Sequence, residues 1–177
     1  MKIKISLGNI SEAIKQVEAY KQSLADKQRE FLQRLAEIGV SEASARFSTA
    51  QYDGTNDVKV DSPEWIDENK IAVRAVGNAV TFIEFGTGVF YNTFADTHPA
   101  ADKYGFYIGG YGQKRGRNDF WYYKGEPGTN GEIPSNPKLA AKGLMFTHGN
   151  PQNRCMWEAS KKIKDEILNI AREVFGR

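Results

Sequence analysis

Two histidines, one cysteine and a scatter of carboxylates are the residues of this chain that could do chemistry. His98 and His148 could build a metal or catalytic constellation with Asp96, Glu84 or Cys155. Metal sites, however, declare themselves through close ligand pairs, such as two histidines within one helical turn or two cysteines two residues apart. Here the histidines lie on different segments, one beside Pro99 and the other beside Gly149-Asn150-Pro151. Glu84 with Asp61, Asp96 or Glu126 could form a hydrolytic carboxylate pair, but the sequence sets no separation between them. A Gly-x-Ser-x-Gly elbow for a serine nucleophile is absent. Cys155 would act as a nucleophile only beside an activating base. Gly86-Thr87-Gly88 lacks the Gly-Lys-Ser/Thr ending of a phosphate loop, and reads as a tight exit from a strand.

One cluster has a different character. Lys114, Arg115 and Arg117 sit between Tyr111 and the run Phe120, Trp121, Tyr122, Tyr123. Cations neutralise phosphates and rings stack on bases, so this cluster could meet nucleic acid. It could equally be the solvated tip of a hairpin whose rings are buried in their own sheet.

The bulk numbers narrow the class. The chain of 177 residues suits one domain, or one domain carrying an inserted lobe. Apolar residues make up 40% and charged residues 26%, the pattern of a globular chain with a real core. A net charge of +2 gives no overall pull toward nucleic acid or membrane, so any basic surface must be local. A single cysteine excludes an intramolecular disulfide. The first residues alternate Lys2, Lys4 and Ser6 with Ile3, Ile5 and Leu7, a strand pattern rather than a secretion signal.

The elements that must position these residues follow from periodicity. Asn9 caps a long helix with Glu12 as its capping-box partner. Ile10, Ile14, Val17, Leu24, Phe31, Leu35 and Ile38 trace one stripe, broken by Lys21 and Gln28. Gly39 is expected to end this helix, and Ser41 to cap a second over residues 42–50. Asp53-Gly54 marks a turn, and Val58 and Val60 a short strand. A strand over 71–76, a hairpin turn at Gly77-Asn78 and a return strand over 79–85 form the expected central sheet. The aromatic runs 104–108 and 119–124 are read as an extended hairpin with a basic, glycine-rich tip, followed by a loose loop over 125–138. A last helix starts at Asn150 and Pro151, with Met156, Ile163, Ile167, Ile170 and Val174 as its stripe. The order gives an α+β class: long N-terminal and C-terminal helices packed on a central antiparallel sheet, with an inserted aromatic hairpin and loop lobe. Residues 1–177 are read as one domain and residues 88–148 as the lobe within it.

The run Val80-Thr81-Phe82-Ile83-Glu84-Phe85-Gly86-Thr87-Gly88 resembles a (Y/F)-(V/I)-E-(F/Y)-G-T signature. That signature belongs to the tail-component family of siphophages. Its members are the tail-completion or head–tail joining proteins typified by gene product ten of the lambdoid phage HK-ninety-seven. In that family a long helix comes first, the signature strand follows mid-chain, and a variable insertion leads to a Gly-x-Pro stretch and a last amphipathic helix. Residues 149–157, from Gly149-Asn150-Pro151 to Met156-Trp157, resemble that final element. Two departures stand out: Arg154-Cys155-Met156 replaces the usual proline-phenylalanine pair, and the insertion is long.

The resemblance implies a structural virion subunit of a tailed phage or prophage, made in bacterial cytoplasm and used in a ring at the head–tail interface. It implies no catalytic residue, metal or cofactor, and gives Phe82, Ile83, Glu84, Phe85, Gly86 and Thr87 a structural role. Partners would be other copies of the chain and neck, connector or tail-tube proteins, with no membrane and no small-molecule substrate. Lys114, Arg115, Arg117, Trp121 and Tyr122 would face a neighbour or passing DNA. The alternative is a nucleic-acid-binding module built on the hairpin 104–124.

Overall fold

The computed structural model describes residues 10–91, 98–106 and 119–176. The class is α+β: a long N-terminal helix and a C-terminal helix, with small antiparallel ladders beside them. The N-terminal helix, α1 (Ile10–Ser48), does not stop at Gly39. Gly39 is buried, and a Cβ there would lie 2.6 Å from Ile163 Cδ1. This glycine is a notch for a neighbouring helix rather than a terminator, so the expected second helix is simply the continuation of the first. Asn9, the expected cap, lies outside the described residues.

The neighbour is α5 (Cys155–Phe175), which runs antiparallel along the C-terminal half of α1. Phe31 meets Phe175 at 5.7 Å between ring centroids, and Arg34 pairs with Glu173. Leu35, Ile170 and Val174 form one buried cluster, with Phe31, Ile38 and Ile163 packed on it. Ala43 and Phe47 join Cys155, Ala159, Ala79 and Ile83 in a second. Burying these side chains, at roughly 25 cal/mol per Å² of apolar surface, is what fastens the two helices. Ile167, expected in the core stripe, is 39% exposed.

Among the described residues, three two-stranded ladders stand in place of the expected central sheet. Strands β1 (Lys59–Val60), β2 (Glu64–Asp67), β3 (Lys70–Ala72) and β4 (Ala75–Val76) pair as β1 with β4 and β2 with β3. The expected strand over 71–76 therefore breaks between two ladders. The expected return strand over 79–85 is a helix, α2 (Val80–Phe85). Gly77 turns with φ +141°, and the Asp57 carboxylate accepts the N–H groups of Asn78 and Ala79 at 2.9 and 3.0 Å. These anchored N–H groups start a helical turn where β-branched residues alone suggested a strand. Helical spacing then buries Ala79 and Ile83 together, and tertiary burial overrides local preference.

In the lobe, α3 (Ala101–Tyr104) holds Tyr104, which is therefore not in a hairpin strand. The aromatic strand β5 (Trp121–Lys124) pairs with β6 (Leu144–Thr147). A short helix, α4 (Pro137–Ala140), interrupts the loop, its first turn capped by Asn136. That loop is also tied to the body: Thr129 N–H donates to the Tyr52 carbonyl at 2.9 Å. Tyr107, Ile108 and the whole basic tip lie outside the described residues.

Candidate functional site

The signature residues converge on the start of α5. Helix α2 points Glu84 at the first N–H groups of that helix, which have no intrahelical partner. Oε2 accepts Met156 N–H at 2.8 Å, and Oε1 accepts Trp157 N–H at 2.9 Å. An anion at this end also complements the helix dipole. His98 completes the shell: Ala100 N–H donates to Nδ1 at 3.0 Å, which puts the ring proton on Nε2. Nε2–H then donates to Glu84 Oε1 at 3.1 Å. Both side chains are buried. The Phe85 ring covers His98 at 4.5 Å and stacks on Phe106 at 4.6 Å.

Asn150 is not the cap of the last helix, which begins at Cys155. It forms a clasp with Thr87. Thr87 N–H donates to the Asn150 carbonyl at 2.9 Å, and Asn150 N–H returns to the Thr87 carbonyl at 3.0 Å. Asn150 Nδ2 donates to Thr87 Oγ1, and Asp53 N–H donates to Asn150 Oδ1 at 2.6 Å. Asp53 in turn accepts Asn130 N–H at 2.7 Å and the Thr147 hydroxyl. One buried carboxylate thus joins the turn after α1, the loop before α4 and the end of β6.

Trp121 lies across the clasp. A Cβ on Gly88 would sit 2.8 Å from its ring, and one on Gly149 would sit 2.7 Å from it. Both glycines have positive φ, +74° and +95°, so neither position admits a side chain. The expected clash at Gly88 is with a tryptophan ring, and the tight exit is from helix α2 rather than from a strand.

The chemistry open to this arrangement is fastening. Burial, reinforced by Glu84, pushes the Cys155 thiol up to about 12, the opposite of an activated thiolate. His148 sits in a separate aromatic cluster, stacked on Phe90 at 4.4 Å, with Nδ1–H donating to the Asp119 carbonyl at 2.9 Å. The two histidines therefore belong to different sites. Among the described residues, no group of three or more His, Cys, Asp or Glu is placed to hold a metal. Asp96, Lys114, Arg115 and Arg117 lie outside the described residues. Trp121 and Tyr122 are 36% and 41% exposed; Tyr122 meets Phe120, which His148 joins to Phe90 and Tyr91.

Asp53, Asp57, Thr147 and the true role of Asn150 were not legible in the sequence. Asp-Gly and Gly-Asn-Pro announce turns, and a turn residue is ordinarily solvated. No protein-family model, curated protein or solved structure matches this chain. Among the described residues no helix is long and apolar enough to cross a membrane.

Proposed function

We propose that this chain is a non-enzymatic structural subunit of a tailed bacteriophage or prophage virion, acting in head–tail joining or tail completion as part of a ring. The observation that carries this reading is the signature itself, in its setting. Glu84, Phe85 and Thr87 direct their polar and aromatic groups inward, to α5, His98 and Asn150. Such residues fit a motif that holds a shape rather than one that meets a substrate. The order of long helix, signature, insertion and final helix follows the resemblance, although the signature here is the helix α2 where the resemblance implies a strand. The exposed rings of Phe90, Phe120, Trp121 and Tyr122 suit a surface completed by a neighbour, since aromatics are enriched at interface cores.

The test is deletion of the gene from the parent phage or prophage, with complementation. Filled heads and unjoined or incomplete tails are expected without the protein, with infectivity restored by the wild-type chain. Normal infectious particles in the deletion strain would end this reading. Negative-stain images of complemented particles should place a ring containing the protein at the neck or tail end.

A second reading draws on one observation. Exposed Phe120, Trp121 and Tyr122 follow Lys114, Arg115 and Arg117 in the sequence after Asn118 and Asp119, an arrangement that suits a nucleic-acid surface. Under this reading DNA affinity falls steeply with salt, and replacing the three cations by Ala flattens that slope.

A further inference from the structure

The loop between β5 and α4 carries the one Asn-Gly pair in the sequence, Asn130-Gly131. An asparagine is open to attack on its own side-chain carbonyl carbon, Cγ, by the amide nitrogen of the next residue. A following glycine, with no Cβ, leaves that nitrogen unshielded. Here the glycine is imposed by its surroundings. A Cβ on Gly131 would run into the Pro127 carbonyl and the Tyr123 hydroxyl. The fold thus requires the very neighbour that makes Asn130 reactive.

In the closed turn the attack is blocked. Gly131 N–H donates to the Pro127 carbonyl at 2.8 Å, so the attacking nitrogen keeps its proton and its place. Asn130 N–H donates to Asp53 Oδ1 at 2.7 Å. The neighbours are tied down too. Thr129 N–H donates to the Tyr52 carbonyl at 2.9 Å, and Glu132 and Phe146 exchange backbone hydrogen bonds at 2.9 and 2.7 Å. Two features favour opening. Gly128, Thr129 and Glu132 are exposed, so the turn can open without unfolding the helices. Asn130 Nδ2 is enclosed and, among the described residues, has no acceptor, and a donor buried unpaired opposes closure.

We infer that Asn130 is a latent self-modification site, and that its conversion to aspartate or isoaspartate holds the turn open. When the turn opens, Gly131 N gives its proton to hydroxide and attacks Asn130 Cγ. The N–Cγ bond forms, the Cγ–Nδ2 bond breaks, and Nδ2 leaves as ammonia with a proton from water. Water then opens the cyclic imide at either carbonyl. Cleaving the new bond gives aspartate, and cleaving the original peptide bond gives isoaspartate, whose main chain is longer by an atom. Neither product suits the closed turn. Aspartate puts a carboxylate where Nδ2 is enclosed, on the residue whose N–H already binds the Asp53 carboxylate, and like charges oppose each other there. The same carboxylate is felt at Tyr123, whose hydroxyl is pushed up to about 12 by burial first and Asp53 next. Isoaspartate puts the Glu132–Phe146 pairing out of step. The change is one-way, and it frees the loop from the carboxylate that also holds the Thr147 hydroxyl. It does not rest on the proposed virion role.

The test ages the full chain in mildly alkaline buffer, folded and in denaturing urea, and follows each asparagine by peptide mass spectrometry. Asn130 should convert at least tenfold more slowly in the folded chain, and urea below the unfolding transition should close part of that gap. The converted fraction, separated by ion exchange, should exchange the amide hydrogens of Gly131 and Glu132 faster than unconverted protein and melt at a lower temperature. Asn130→Asp should reproduce both changes, and if that variant fails to fold, the aged wild-type fraction carries the same readout. Asn130→Gln, which must close a larger ring, should stay unconverted. Equal rates in folded and unfolded chain would overturn the latency. An Asn130 that stays intact even in the unfolded chain, or that urea below the transition leaves untouched, would remove the site. A converted fraction with the exchange and melting of unconverted protein would show that the turn closes again. The gene-deletion result is unaffected by any of these, so the two readings fail separately.

Discussion

Glu84 offers two oxygens to the N–H groups of Met156 and Trp157 and the imidazole of His98, all in a buried setting. Removing a buried acceptor leaves its donors unsatisfied, at about 1–3 kcal/mol. Glu84→Ala should therefore cost about 3 kcal/mol in urea denaturation, and Glu84→Gln less, since its amide oxygen can still accept. His98→Ala should cost less than Glu84→Ala because the two helix N–H groups keep their partner. A Glu84→Ala protein as stable as wild type would contradict this cap.

Two groups, the thiol of Cys155 and the hydroxyl of Tyr123, are held protonated well into the alkaline range. The Cys155 thiol is pushed from 9.0 to about 12 by burial and by Glu84. The Tyr123 hydroxyl is pushed from 10.0 to about 12, by burial first and Asp53 next. That hydroxyl donates to the carbonyls of Glu126 and Pro127 at 2.7 and 2.9 Å. In both cases the unfolded chain loses its proton at lower pH than the folded one. Their contribution to stability is thus whole below pH 9.0 and lost between there and about 12. Melting temperature should fall across that window. Cys155→Ala and Tyr123→Phe should each make the fall shallower, whatever they cost at neutral pH.

At the scale of elements, Gly39 decides how closely α1 and α5 approach. Besides Ile163, a Cβ there would meet Val73 Cγ2 at 3.2 Å. Alanine gains about 1 kcal/mol of helix propensity over glycine, and the Cδ1 end of Ile163 can swing aside. Gly39→Ala should therefore be close to neutral. Gly39→Leu leaves no such escape and should cost about 1–3 kcal/mol by forcing the helices apart. Equal chevron or denaturation midpoints for the two variants would show that the notch is not needed. Helix α2 depends in the same way on a residue distant in sequence. Hydrogen bonds from the Asn78 and Ala79 N–H groups hold the Asp57 carboxyl below its usual range. The stability it lends is present above the ordinary carboxylate range and lost as pH falls through the depressed one. Asp57→Asn should flatten that acid limb.

For the whole molecule, the body and the lobe are one hydrogen-bonded unit around Asp53, Asn150 and Thr87. The Trp121 ring closes it against Gly88 and Gly149. Deleting residues 107–122 would therefore remove half of β5 and its pairing with β6. A shorter deletion, residues 109–118 replaced by a Gly-Ser bridge, leaves the ladder whole. Circular dichroism and melting of that variant should match wild type, while incorporation into particles should fail if the basic tip meets a neighbour or DNA. Full infectivity would make the tip dispensable.

The sequence by itself determined the α+β class, the two long helices, the apolar seam of α1 and the turn at Asp53-Gly54. These rest on spacing within one element, and helical periodicity is visible without a partner. It also marked Glu84-Phe85-Gly86-Thr87 as a unit. Tertiary structure alone decided what that unit does. Val80 to Phe85 has strand-like composition, yet Asp57, more than twenty residues earlier, supplies the bonds that start a helix. Gly39 and Gly88 look alike as glycines, but one admits Ile163 and the other Trp121, and only the fold brings those rings and methyls near. Asn150 and Asp53 look like surface turn residues, and become buried when their hydrogen-bonding partners arrive from distant segments. A buried polar group is stable only when all its partners assemble together, so its role cannot be read from any one stretch of chain.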